Sequence, residues 1–339
     1  MSWFNTEGVG SQFFIWSKTQ FVRNLASVPF CEAGEAYSDA FKKVGDLLTQ
    51  NGFRMENIRP GISTETMAFA EKQFVGRDLI YSDRERALFL NDPCSLAIAI
   101  GGDNFISIRS LLSGRAINES FNIASGAEEL LDGELEFAYS ERFGYLAKDP
   151  KDCGSASEIS AALFLPALSY PHYRESTIRA CTAFGASITP FSVYKDNPGD
   201  IYLISYKLPP NRAEGVSVSR FCSLCDKLVQ NEKDGIRILF SDKRKLIIDK
   251  AWRAFGLISF AKSLCESEFL SLLSDIRLGL AVTDDKSLLP PVGISQLNSL
   301  LAYGLNASVV SEAKVCASEE ECDEARAIIT AKLTSSAKQ

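Results

Sequence analysis

The chain has 339 residues, 46% of them hydrophobic and 23% charged, with a formal net charge of −7. This is enough apolar material for one large or two ordinary domains, and the negative balance argues against a nucleic-acid or anionic-membrane partner. No apolar run approaches the ~20 residues needed to cross a bilayer, residues 1–5 lack the basic-then-apolar pattern of a signal peptide, and the 9 scattered cysteines read as reduced thiols, so a cytoplasmic location is expected.

In chain order, Phe13-Phe14-Ile15-Trp16 reads as a buried strand. Residues 36–50 form an amphipathic helix through Tyr37, Phe41, Val44 and Leu48, stopped by Asn51-Gly52. Residues 67–75 read as a second helix. Residues 84–90 and 96–100 pair as a hairpin turned by Asn91-Asp92-Pro93. Gly101-Gly102 is a turn and not a phosphate loop, because no helix opening with Gly-Lys-Ser/Thr follows. Residues 127–137 are predicted helical. Asp149-Pro150 and Cys153-Gly154 are breaker pairs, so 148–155 is an exposed loop. From Ser157 the pattern alternates, with Glu158, Ser160 and Ala162 on one face and Ile159, Ala161 and Leu163 on the other. A helix over 170–184, two strands within 186–206, and a helix from about 212 with Asp234-Gly235 as its stop complete the first half. Everything from 237 to 331 reads helical, with a capping box at Ser318-Glu319-Glu320-Glu321. Cys222-Ser223-Leu224-Cys225 lies inside a helical pattern and reads as a buried face, and a single histidine, His172, leaves no multi-histidine metal site.

Several stretches resemble a known family. Tyr145-Leu146, Pro150, Gly154, Ser160 and Leu165-Pro166-Ala167-Leu168 are similar to the active-site segment of the guanidino phosphotransferases, closest to the bacterial protein-arginine kinases. Ala251-Trp252-Arg253-Ala254-Phe255-Gly256 and Leu272-Leu273-Ser274-Asp275-Ile276-Arg277-Leu278-Gly279 resemble the helical C-terminal domain of those kinases. The resemblance implies an α+β fold, a curved antiparallel sheet flanked by helices over residues 1–235, followed by an all-α domain over 236–339.

Carried onto this chain, the family's reactive cysteine falls at Asp149, and its two catalytic glutamates at Asp103 and Val193. Its five phosphate-binding arginines fall at Lys18, Gln20, Ser107, Glu158 and Ile188. Glu71-Lys72-Gln73 resembles the family's Glu-Lys-His, and Cys322, Asp323 and Arg326 a phosphoarginine-sensing motif whose first arginine is replaced. The last stretch reads most simply as a solvated helix face. Arg23 is kept and reads as a structural pairing. Phosphoryl transfer to a guanidinium needs several cations on the triphosphate and carboxylates on the acceptor. With those positions substituted, the expectation is a catalytically degenerate homologue, regulatory or scaffolding, in protein quality control. It would need no cofactor and no metal, and would meet a protein partner or form a homo- or heterodimer through the helical domain. The alternative is an active Mg·ATP-dependent enzyme with a rebuilt site that phosphorylates protein arginine. A site converted to a cationic ligand would require Asp103, Asp149 and Glu158 to converge.

Overall fold

Strand β1 (Phe14–Arg23) lies inside the sheet, paired along one edge with residues 106–113 and along the other with 157–164. Ser17, Thr19, Phe21 and Arg23 alternate with Lys18, Gln20 and Val22, and only the first set is fully buried. The computed structural model describes residues 3–28, 30, 34–58, 86–92, 94–210, 213–306, 308–309 and 318–335, with the side chains of 56–58 excepted. The 67–75 helix with Glu71-Lys72-Gln73, and Pro93 of the hairpin turn, lie outside these residues.

Around β1 the chain builds an eight-stranded sheet. Its strands are β2 (Arg54–Ile58), β3 (Arg86–Leu90), β4 (Leu96–Ile100), β5 (Ile106–Ser113), β8 (Ser157–Phe164), β9 (Ser187–Pro190) and β10 (Ile201–Lys207) beside β1. The order is β2-β3-β4-β5-β1-β8-β10-β9, with every neighbouring pair antiparallel. A small ladder, β6 (Tyr139–Ser140) with β7 (Gly144–Tyr145), stands apart from it. Its turn needs glycine: Gly144 has φ +74°, and a Cβ there would meet the Gly154 carbonyl oxygen at 2.4 Å.

One sheet face is apolar and covered by helices α1 (Glu35–Gln50), α2 (Ile117–Asp132), α3 (Pro171–Phe184) and α4 (Glu214–Phe240). Ile98, Ile106 and Ile108 meet Val44, Ala124 and Leu131 there, while Ile159, Ile204 and Tyr206 meet Phe221 and Cys225. Burying such side chains contributes roughly 1.5–3 kcal/mol each. Helix α2 begins ten residues before the predicted 127–137 helix. Its buried stripe is Ile117, Ser120, Ala124, Ala127 and Leu131, whose three central members are small and carry little apolar signal. Cys222 and Cys225 are buried on α4 as expected, and His172 is exposed in the first turn of α3.

Helix α4 does not stop at Gly235 but runs on to Phe240. Gly235 is there for a close approach, since a Cβ would lie 2.8 Å from the Tyr173 ring and 3.2 Å from Ala167. After a short 3-10 turn come α5 (Arg244–Phe260), α6 (Glu266–Val282), α7 (Ile294–Gly304) and α8 (Glu319–Ser335). Gly279 lets α6 cross α5 tightly, its missing Cβ standing 2.6 Å from Ala251. Buried Arg277 ties α6 to the lead-in of β1, donating to Ser11 O at 3.0 Å and to Asn298 Oδ1 at 2.7 Å. Ser318 Oγ caps α8 by accepting from Glu321 N at 3.3 Å. Among the described residues no helix is long and apolar enough to cross a membrane.

Candidate functional site on the polar sheet face

The register across the sheet assembles the site. Lys207 of β10 stands opposite Glu158, Glu158 opposite Gln20, and Gln20 opposite Arg109 of β5. The next row on the same face runs Ser205, Ser160, Lys18 and Leu111, and Ser107 lies opposite Val22. Four of the positions that the resemblance assigns to phosphate-binding arginines, Lys18, Gln20, Ser107 and Glu158, therefore share one face. Ile188 does not join them. It pairs with Ile204, and it packs against the apolar cluster on the helix-covered side.

The loops at the end of this face are pinned by Asn24. Its Nδ2 donates to Asn104 Oδ1 at 2.9 Å and to Leu146 O at 3.0 Å, and its Oδ1 accepts from Phe105 N at 2.8 Å. Arg23 beside it is buried. It donates to Glu128 Oε1 at 2.8 Å and lies 3.6 Å over the Tyr145 ring, so its charge is spent on the fold.

The acidic replacements do not pool. Asp103 holds the Lys148 ammonium at 2.5 Å. Asp149 caps the turn Pro150–Asp152, accepting from Lys151 N at 3.0 Å and pairing with Lys151 Nζ at 2.8 Å. The Lys151 hydrogen bonds hold its carboxyl below the usual carboxylate range. Asp103 and Asp149 are thus neutralised by different lysines. Among the described residues no three His, Cys, Asp or Glu side chains are placed to hold a metal. Val193 is 90% exposed in the β9–β10 connection and offers no carboxylate.

Three cations stand on this face, and two of them, Arg109 and Lys207, were not singled out from the sequence. Buried Arg109 donates from Nε to Gln20 Oε1 at 3.1 Å. Lys207 is ion-paired to Asp152. Half-buried Lys18 is pushed down to about 8 by burial and by the Arg109 charge, against an upward pull from Glu158. Cys153 was also passed over, four residues beyond the Asp149 position. Its Sγ accepts from Ala147 N at 3.3 Å, within its own loop. A cavity of about 340 Å³ opens here between Gln20, Glu158, Asp152, Cys153 and Lys207. Alternation in β5 marks Ser107 and Arg109 as one face, which was the only local clue to Arg109.

The motif near the C-terminus is not a solvated face. Arg326 is fully buried, with Nε on Gly304 O at 2.8 Å and Nη1 on Leu264 O and Asp323 Oδ1, both at 2.6 Å. It also donates to Asn306. Above it a cavity of about 540 Å³ is lined by Glu266, Glu319, Cys322 and Asp323 among others. Cys322 stands on its rim, and the Arg326 guanidinium beneath it is taken up by backbone carbonyls, Asn306 and Asp323.

An eight-stranded antiparallel sheet with helices on one face and a polar opposite face is the fold expected of a guanidino phosphotransferase catalytic domain. Solved structures agree. The duplicated taurocyamine kinase of Schistosoma mansoni, with transition-state-analogue components bound, superposes with a TM-score of 0.57 at 18% identity over 68% of this chain. The match spans 34% of that duplicated chain, about a third of it. A lombricine kinase superposes with a TM-score of 0.52 at 16% identity, over 68% of this chain and 69% of its own.

At the sequence level, the ATP:guanido phosphotransferase C-terminal catalytic domain matches residues 33–235, and the C-terminal domain of the protein-arginine kinase McsB matches residues 244–339. The chain belongs to the ATP:guanido phosphotransferase family and carries the protein-arginine kinase C-terminal domain. A protein-arginine kinase of Clostridium kluyveri is 27% identical over 305 residues, 87% of each chain. That of Pelotomaculum thermopropionicum is 24% identical over 313 residues, 88% of this chain and 86% of its own.

Proposed function

We propose that this chain is a non-catalytic member of the protein-arginine kinase branch, working through protein contacts as a regulatory or scaffolding component in protein quality control. The observation that carries the reading is Glu158, a carboxylate in the central row of the face where a triphosphate would be gripped. A phosphate a few ångströms from it would be repelled by roughly 1–4 kcal/mol at effective dielectrics of 80 to 20. Two of the cations around it are engaged, Lys207 by Asp152 and Arg109 by Gln20, and burial lowers Lys18 to about 8, which leaves it charged at pH 7. No carboxylate at Val193 would orient an acceptor guanidinium, and Asp103 is engaged by Lys148. Its partner would be a protein, a second copy or an active relative, met through the helical C-terminal region.

One observation favours the second reading, an active ATP:guanidino phosphotransferase with protein arginine as acceptor. Arg109 stands beside Gln20 and supplies a guanidinium on the correct face. Incubation with Mg·ATP labelled in the γ-phosphate and an arginine-rich protein separates the two. The non-catalytic reading expects no acid-labile phosphoarginine and no rise in melting temperature at millimolar Mg·ATP. Label on arginine that vanishes in Arg109→Ala would establish the rebuilt enzyme instead.

A further inference from the structure

A second cavity, of about 480 Å³, lies away from the polar sheet face, where the lead-in to β1 meets the end of α4, the start of α5 and the end of α6. Its lining includes three cationic side chains, Lys233, Arg237 and Arg244, and no acidic one. For a chain of net charge −7 this is a local reversal of sign. Its walls are apolar: Phe13 is buried, and Ile236, Phe240 and Val282 complete them. The volume falls in the range of small-molecule sites, which pair an apolar lining with a few placed polar groups.

Two of the cations have a fixed neighbour in this setting. Lys233 Nζ lies 5.5 Å from the Phe13 ring centroid, and Arg244 donates to Thr283 Oγ1 from the first turn of α5. Arg237 keeps only a loose pair with Asp234, at 3.6 Å, and is 79% exposed. Local physics opposes the arrangement. Helix α5 has no side-chain cap and no acidic residue in its first turn, and it opens with Lys243, Arg244 and Lys245. Basic groups at the positive end of a helix destabilise it. An anion seated in the cavity would reverse that sign and stabilise the same turn.

We infer that this cleft binds an organic phosphate, a phosphate ester whose dianionic group is held by Arg237, Arg244 and Lys233 and whose aromatic or apolar body rests on Phe13 and Phe240. Two guanidinium forks and an ammonium match a dianion better than a single carboxylate. The apolar walls set an ester apart from free phosphate. The site is separate from the nucleotide face of the family, because it shares no lining residue with the cavity beside Glu158.

The test uses the full chain and 4-methylumbelliferyl phosphate as a fluorescent probe, with inorganic phosphate and 4-methylumbelliferone as the separated halves. The ester is expected to bind at least tenfold more tightly than either half, and more weakly as salt is raised. Lys233→Glu with Arg237→Glu, two exposed positions, should weaken binding at least tenfold, whereas Lys207→Glu on the sheet face should leave it unchanged. In the unaltered protein, bound ester should protect Lys233 from amine acylation read by mass spectrometry. This second readout does not depend on any variant folding. No binding at millimolar ester, binding unaffected by the double charge reversal, binding lost in Lys207→Glu, or an unprotected Lys233 would each overturn the proposal.

Discussion

Replacing Glu232 by glutamine tests how strongly burial controls the stability of this fold. Glu232 is 3% exposed on α4, and its Oε1 accepts from Ala167 N at 2.6 Å, joining α4 to the turn that follows β8. Burial, reinforced by the Asp200 charge, pushes its carboxyl from the ordinary 4.5 up to about 8. Between those values the folded chain holds a proton that the unfolded chain has lost. The stabilisation is therefore complete below pH 4.5 and disappears as pH rises through 8. At about 1.4 kcal/mol per tenfold change in proton affinity, the loss has a ceiling of about 5 kcal/mol. Glutamine keeps the acceptor for Ala167 N and has no charge to bury. Glu232→Gln should thus lie within about 1 kcal/mol of the parent at pH 4.5 and be more stable by about 2–4 kcal/mol at pH 9. Urea unfolding at the two pH values measures both differences. A variant less stable than the parent at pH 9, or a difference that does not change with pH, would refute the reasoning.

Two further outcomes follow from buried cations. Arg326→Met should destabilise the C-terminal helices by ~3 kcal/mol or more, because it strands the Gly304 and Leu264 carbonyls and the Asp323 carboxylate. A loss below about 1 kcal/mol in urea unfolding would show that water takes over those groups. For Lys18, the folded value of about 8 against 10.5 means that the unfolded chain holds an extra proton between those limits, so the parent gains stability from pH 8 to 10.5. Lys18→Met should be the more stable protein by about 1–3 kcal/mol at pH 7, with the advantage gone near pH 10.5. A constant difference across that range would place Lys18 in contact with water.

Where chemistry alternated strictly or broke sharply, the chain was legible on its own. The two-residue period over 157–164 separated Glu158 and Ser160 from Ile159 and Ala161, and the sheet keeps that division. The breaker pairs around Asp149-Pro150 and Cys153-Gly154 marked the loop that the turn Pro150–Asp152 occupies. The motifs around Tyr145, Pro166 and Trp252 pointed to the family, which the matches over 33–235 and 244–339 bear out. Helix α2 was misplaced for the opposite reason, since a stripe of serine and alanine has little periodic contrast.

Other features depended on partners distant in the chain. Gly235 resembles a helix stop until Tyr173, 62 residues earlier, fills the space its missing side chain leaves. Arg326 resembles a surface residue until carbonyls from two other segments close around it. Arg109 reaches the polar face beside Gln20 through a register spanning 89 residues, and Ile188 leaves that face through its pairing with Ile204. Local periodicity specifies which side chains share a face of one strand. Which strand lies alongside, and in what register, depends on the whole sheet closing over its core. The family was therefore written in the sequence alone, whereas the charge that surrounds Glu158 was decided by the tertiary structure.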